Sequence, residues 1–283
     1  MRVVHTEAIS QMKLAAAIFA AGILLVGASG VPAPIRAAAA RGACFLLYEV
    51  GVGEVRRSPA TACDTRVTPA STFKVPHALA ALDAGVITGA DTLFKYNGAP
   101  VSAASWRRDH TLASAMRNSV VWYFQRLAEL LGPAREHDYL RRFDYGNAPD
   151  VSRNLTTFWL DSTLTVSPEE ELRFIRRLYA GDLPVSRAAM DTVRSILIQP
   201  EGKVTNAAGE HAFASPWPPG TRLSAKTGSG TANGQSVRWI VGHVARDSRS
   251  WLFVSCVAGG SDLPALAAAD QAASALQEAH VLR

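Results

Sequence analysis

The chain has 283 residues, 48% of them hydrophobic and 19% charged, with a formal charge of +5. That is enough apolar material for a sizeable core, which excludes an intrinsically disordered chain. Arg2, Lys13 and Arg36 against Glu7 account for part of the positive charge, so residues 41–283 are only mildly and diffusely basic, without the footprint of a nucleic-acid binder.

From Met12, a Met-Lys pair precedes an apolar run over residues 14–28 interrupted only by Gly, followed by Pro32, Pro34 and the small residues 37–40. This is the layout of a secretory signal peptide, and the run is shorter than the roughly 20 residues a spanning helix needs. Ala38-Ala39-Ala40 supplies a cleavage site, which makes 1–40 the signal peptide, Arg41 the expected mature start and 41–283 one domain; an uncleaved anchor is the alternative. No lipid-attachment signal precedes Cys44. Export allows disulfides to form. Cys44 opens the apolar run 45–50, Gly51-Val52-Gly53 makes a turn and the chain returns through 54–57, so the sulfurs of Cys44 and Cys63 can meet. Cys256, in another apolar run, is expected to be a buried free thiol. No C-x-x-C or His-rich spacing supports a metal site, so none is expected.

Thr68 can cap a helix beginning at or just after Pro69 and running through Lys74, Val75, Leu79 and Leu82 to a stop at Gly85. Pro76 is awkward inside it, so the helix either begins near Ser71 or is kinked. The middle of the chain, roughly 86–185, reads as a mainly helical subdomain. One helix starts at Leu112, another covers 122–131 and stops at Gly132, and a third covers 133–143. Ser167-Pro168-Glu169-Glu170 combines an N-cap, a Pro at the first helical position and a capping box, followed by Leu172, Ile175 and Leu178 on one face and a stop at Gly181. From Arg222 the character turns to β-branched and aromatic: 237–244 and 251–257 flank a polar turn at 246–250, a hairpin. The Ala-rich segment 264–282 reads as a closing helix. Strands at both chain ends around a helical middle give an α+β arrangement, one antiparallel sheet built from both termini with helices packed on it.

Ser71-Thr72-Phe73-Lys74 is an S-x-x-K tetrad whose spacing places the serine and lysine on one helical face. A serine hydroxyl is a weak nucleophile until a base takes its proton, and a helix N-terminus favours the oxyanion that attack creates. Lys226-Thr227-Gly228, with Ser229-Gly230 after it, lies at the start of the predicted hairpin. A cation beside a hydroxyl suits a carboxylate, and the glycine lets a substrate backbone approach the strand. Ser119-Val120-Val121 lies between them at a helix junction. The order S-x-x-K, S-x-V, K-T-G resembles the penicillin-recognising serine hydrolases. Tyr145-Gly146-Asn147, Phe158-Trp159-Leu160 and the S-T-F-K form narrow the resemblance, over about residues 44–257, to the class D (oxacillinase-type) serine β-lactamases.

The resemblance implies the β-lactamase/transpeptidase-like fold and hydrolysis of the β-lactam amide of penicillins and related antibiotics. Ser71 is then the nucleophile and Lys74, carboxylated by carbon dioxide, the general base of both acylation and deacylation. Ser119 passes a proton to the departing ring nitrogen, the N–H groups of Ser71 and Ser229 form the oxyanion hole, and Lys226 and Thr227 receive the substrate carboxylate. Lys74 must lose its proton to react, which burial against Phe73 and Val121 favours; Val121 keeps the site dry, and the Trp159 indole donates to the carbamate. No other cofactor is implied. With the signal peptide, the resemblance places the protein in the bacterial periplasm, with a small-molecule β-lactam as partner, no nucleic acid and no stable membrane association after cleavage.

One departure stands out. Where class D enzymes usually carry an arginine for the substrate carboxylate, this chain reads Asp262-Leu263-Pro264-Ala265-Leu266-Ala267, and Arg238 is the candidate replacement, with a solvated strand-edge charge as its other reading. His77 is expected to pack or meet solvent, Tyr145 and Asn147 to act as structural supports, Trp106, Arg107 and Arg108 to lie at the surface rather than line the cleft, and Trp239 and Trp251 to be core. The rival readings are a penicillin-sensing domain that acylates without turnover, a D,D-peptidase and a class A lactamase. The class A pattern S-x-N and E-x-x-L-N is absent, and Val121 stands where sensors tend to carry a polar residue.

Overall fold

The computed structural model describes residues 42–59, 63–232 and 234–283; the signal-peptide reading of 1–40 and the start at Arg41 lie outside them. Strands β1 (Gly42–Glu49) and β2 (Gly53–Ser58) form the N-terminal hairpin, and a 3-10 turn at Ala70–Phe73 leads into α1 (Lys74–Asp83). A short pair, β3 (Leu93–Phe94) and β4 (His110–Thr111), precedes α2 (Leu112–Arg117), α3 (Val121–Leu131), α4 (Pro133–Phe143), α5 (Pro168–Ala180) and α6 (Arg187–Ile196). The chain then makes a small hairpin, β5 (Lys203–Asn206) with β6 (Gly209–Ala212). It ends in three long strands, β7 (Arg222–Ala232), β8 (Gln235–Arg246) and β9 (Arg249–Gly259), and α7 (Ala267–Glu278).

The five long strands form one antiparallel sheet in the order β2-β1-β9-β8-β7, so both chain ends do build it. Burial alternates with the strand period of two. Leu46, Trp239, Val241, Leu252 and Val254 enter the core shared with α1–α6, while Phe45, Leu47, Ile240, Val244 and Phe253 pack with the alanine face of α7. Cys44 and Cys63 are joined in a disulfide, and Cys256, directly opposite Cys44 in the β1–β9 register, is buried and free.

Four expectations are corrected. Thr68 does not cap α1: its hydroxyl donates to the Trp159 carbonyl at 2.9 Å, and the turn before the helix is closed by backbone bonds instead. The α-helix proper begins at Lys74, so Pro76 is its third residue and its missing N–H costs no intrahelical bond. The K-T-G triplet sits in mid-strand on β7, paired with β8, rather than at the start of a hairpin. The closing helix is shorter than 264–282: Pro264 lies in a turn before it, and beyond it His280 takes a left-handed φ of 58° that no helix continues through. The helix over 167–181 forms as its caps dictate, with a reciprocal Ser167–Glu170 capping box and Gly181 left-handed at φ 80°.

Candidate active site

The nucleophile turn is wedged between sheet and loop. Ala70, buried, is held at φ 49°, in the left-handed region that alanine avoids. The Trp239 indole of β8 donates to the Thr68 carbonyl at 2.9 Å, and β7 closes from the side. A Cβ on Gly228 would stand 3.0 Å from the Pro69 oxygen and 3.2 Å from Thr72 Cγ2. The glycine of K-T-G therefore admits this chain's own turn, and Gly228 also lines the cleft.

In that turn Lys74 Nζ lies 2.7 Å from Ser71 Oγ. Lys74 is 0% exposed, and desolvation, followed by the nearby charge of Lys226, holds its amine well below the ordinary lysine pKa. Its amine also stands 5.4 Å from the centre of the Phe124 ring. Ser119, at the α2–α3 junction with φ 55°, accepts a hydrogen bond from Lys226 Nζ at 3.0 Å; the same amine donates to the Thr227 carbonyl at 2.8 Å. Burial brings Lys226 down to about 7.

Trp159 is fully buried, its ring stacked on Phe73 at 5.7 Å and set edge-on to Phe158 at 5.1 Å. Its indole N–H is buried without a hydrogen-bond partner among the described residues. Y-G-N fixes the loop that carries it. Asn147 bonds through its side chain to the Thr163 carbonyl and the Thr165 N–H, at 2.9 Å each. A Cβ on Gly146, at φ 61°, would fall 2.1 Å from the Thr165 oxygen. Tyr145 is buried and donates to Glu171 at 2.5 Å.

A cleft of about 280 Å³ opens over Ser71, Ser119, Val121, Thr227 and Ser229, with Trp239 in its floor. Trp106 lines it too, against the surface reading, and its N–H donates to the Asn118 carbonyl at 2.9 Å; Arg107 and Arg108 are exposed. Residues 206–208, the tip of the β5–β6 hairpin, also line the cleft, and the sequence reading had no strand there. Arg238 pairs directly with Ser229 and so shares its face of the sheet. Its guanidinium donates to the Val237 carbonyl at 3.1 Å and the Leu263 carbonyl at 3.2 Å, while Nε is buried and unpartnered. Where the family's arginine is expected, Ala265 and Leu266 line the cleft.

Reasoning from sequence missed two buried acids. Glu171, from α5, reaches beneath the nucleophile turn to Thr72 at 2.6 Å. Glu136, from α4, sits 3.2 Å from His77, and both are buried; the His77 ring lies 5.7 Å from Trp159 and 5.2 Å from Phe73. An acid falling on the apolar face of an amphipathic helix was the available signal in both. Among the described residues no group of three His, Cys, Asp or Glu side chains could hold a metal ion.

A serine–lysine pair from one turn, and a second serine held by a strand-borne lysine, bring Ser71 and Ser119 to one cleft at the sheet edge with both lysines buried beside them, the makeup of a penicillin-recognising serine hydrolase site. The family described as Penicillin binding protein transpeptidase domain matches residues 53–278. β-Lactamase OXA-48 of Klebsiella pneumoniae is 39% identical over 65% of this chain and 63% of its own length. β-Lactamase OXA-1 of Escherichia coli is 33% identical over 78% of each. Among solved structures, the C-terminal domain of the Bacillus licheniformis BlaR penicillin-receptor superposes with a TM-score of 0.75 at 28% identity, over 86% of this chain and 92% of that one. The chain belongs to the class D serine β-lactamases, hydrolases of β-lactams.

Proposed function

We propose that the chain, exported and cleaved near Ala40, hydrolyses the β-lactam amide of penicillins and related antibiotics through an acyl-enzyme on Ser71, with a carboxylated Lys74 as base. The observations that carry this reading are a fully buried Lys74 amine, its pKa held well below the ordinary lysine value, 2.7 Å from the Ser71 hydroxyl, and a buried Trp159 indole N–H without an acceptor among the described residues. Both features fit a lysine carbamate: only an uncharged amine adds carbon dioxide, and the buried anion so formed requires a donor. Lys74 would carry the group and Trp159 hold it, with Phe73, Phe124 and Val121 keeping water out. When present, the carbamate supplies an anionic oxygen as proton acceptor beside Ser71.

Ser71 Oγ gives up its proton as it attacks the lactam carbonyl. The backbone N–H groups of Ser71 and Ser229 are the donors for the oxygen that becomes negative, one from the helix start and one from the strand edge. Ser119 Oγ, already hydrogen-bonded to Lys226, is the group through which a proton reaches the departing ring nitrogen. Lys226 and Thr227 take the substrate carboxylate, with Arg238 adding positive potential from beside Ser229 in place of the absent arginine. The test is hydrolysis of a chromogenic cephalosporin by the purified mature chain with and without bicarbonate. Repeated turnover restored by bicarbonate after low-pH treatment is expected. A single turnover per molecule would instead place the chain with the receptor domain it also superposes on.

A further inference from the structure

Beneath the nucleophile turn, three hydroxyl and carboxyl groups form a buried chain whose proton count is informative. Thr72 Oγ1 lies 2.9 Å from the Pro69 carbonyl and 2.6 Å from Glu171 Oε1, and Tyr145 Oη lies 2.5 Å from that same Oε1. A hydroxyl owns one proton, and a carbonyl none. If Glu171 is ionised, Tyr145 and Thr72 both donate to it, and the Thr72–Pro69 contact is left with no hydrogen. If Glu171 is neutral, Tyr145 donates to Oε1, Oε1 donates to Thr72, and Thr72 donates to Pro69. All three contacts are hydrogen bonds at once only in the neutral form.

We propose that Glu171 is a positioning residue for the nucleophile, and that its neutral form, donating through Thr72 to the Pro69 carbonyl, is the one that supports turnover. The Pro69 carbonyl also accepts the Thr72 N–H at 3.1 Å, so both donors of Thr72 close the turn that presents Ser71. The surroundings favour a neutral acid. Glu171 is 1% exposed, and the charged or titratable groups facing it are Glu170 from its own helix, Tyr145 from the loop after α4 and Cys256 from β9; the cation beside Glu170, Arg66, is bound by Glu170. Desolvation accordingly raises its carboxyl to about 7. Above that pH the Thr72 hydroxyl turns to the carboxylate and the Pro69 carbonyl loses a donor. An unpaired buried anion then stands one residue behind Ser71, opposing the oxyanion and drawing a proton onto Lys74.

The inference rests on the reading of Ser71 and Lys74 given above, and the test separates the two. Infrared spectra of the full mature chain are recorded from pH 5 to 9, with Glu171→Gln as the difference reference. A carbonyl band of a buried carboxylic acid is expected at pH 6, fading with an apparent pKa near 7. In saturating bicarbonate, kcat should fall on the order of tenfold more between pH 6 and 9 in the wild type than in Glu171→Gln. Lys226 titrates in the same range and, through Ser119, also reaches kcat, but it does so equally in wild type and Glu171→Gln, so the readout is the part of the fall that Glu171→Gln removes. Tyr145→Phe removes a donor to the anion and should move both the band and the fall in kcat to higher pH, which mere loosening of the core would not do; it carries the test if Glu171→Gln does not fold. A carboxylate at pH 6, a fall in kcat retained in full by Glu171→Gln, or an unshifted transition in Tyr145→Phe would overturn the proposal. Absence of hydrolysis in the wild type would count against the catalytic reading, and the infrared band would still decide the state of Glu171.

Discussion

Replacing Trp159 by Phe isolates one atom pair in an otherwise preserved site. The ring contacts of Trp159 with Phe73 and Phe158 are largely within reach of a benzene ring, whereas the indole N–H, buried and unpartnered, is lost outright. If that N–H is reserved for an anion on Lys74, its removal costs the net value of a hydrogen bond to a charged group, about 1.5–3 kcal/mol. At 1.4 kcal/mol per decade, the bicarbonate concentration for half-maximal activity should rise about 10- to 150-fold. The assay is a bicarbonate titration of activity, paired with the carbamate carbon signal in 13C NMR after exchange into labelled bicarbonate; both midpoints should move together. Activity at saturating bicarbonate should recover much of the wild-type rate. A Trp159→Phe enzyme that folds normally and keeps the wild-type midpoint would refute the reasoning, because the orphaned donor would then have no anion to serve.

Arg238→Ala should raise KM for penicillins about fivefold with kcat little changed, the scale of a partly exposed charge contact worth about 1 kcal/mol; an unchanged KM removes Arg238 from substrate binding. The Cys44–Cys63 bond closes a loop with a sequence separation of 19, so Cys44→Ala with Cys63→Ala should cost about 3 kcal/mol and lower Tm by roughly 6–12 °C in a thermal melt. Stability should also depend on Glu171. Its folded carboxyl, raised to about 7 against an ordinary 4.5, binds its proton more tightly than the unfolded chain does. Its contribution is therefore whole below pH 4.5 and is lost as pH climbs through 7, so denaturant unfolding should find Glu171→Gln gaining on the wild type by about 3 kcal/mol across that window.

The catalytic motifs were legible because their members are neighbours in sequence. Ser71 and Lys74 share a turn whatever surrounds them, and Lys226-Thr227-Gly228 needs only a strand. What pattern could not supply is what tertiary contact decides. Thr68 has the residue type of a helix cap, yet its hydroxyl finds the Trp159 carbonyl instead, a partner separated by 91 positions. The full length of β7 was not legible because Gly228, Ser229, Gly230 and Ala232 are poor strand formers, and the strand runs on through continuous pairing with β8 from Arg222 to Ala232. Glu136 and Glu171 fall on the apolar faces of their helices, but only the fold shows what they meet there, His77 and Thr72. Trp106 became a cleft residue only because its indole is pinned to the Asn118 carbonyl beside Ser119.

The site has a simple electrostatic asymmetry that joins these observations. Toward the cleft it presents the hydroxyls of Ser71 and Ser119, and buried beside or behind them stand the amines of Lys74 and Lys226 and a Trp159 N–H without a partner among the described residues. Its acids stand behind the walls, Glu171 engaged by Thr72 and Tyr145 and Glu136 set against His77. The two lysines are buried at 0% and 3%, and desolvation pushes both down in pKa, with the nearby charge of Lys226 adding to the effect on Lys74. Such a pocket is unsatisfied until anions enter it. A carbamate on Lys74, the carboxylate of a penicillin and the oxyanion of the attacked carbonyl are three anions of suitable size, and each meets a different subset of those donors. A carbamate on Lys74 would place a negative charge opposite Lys226, favouring the ammonium form that binds the substrate carboxylate. On the proposed mechanism, priming the base and binding the substrate are coupled through one pair of lysines.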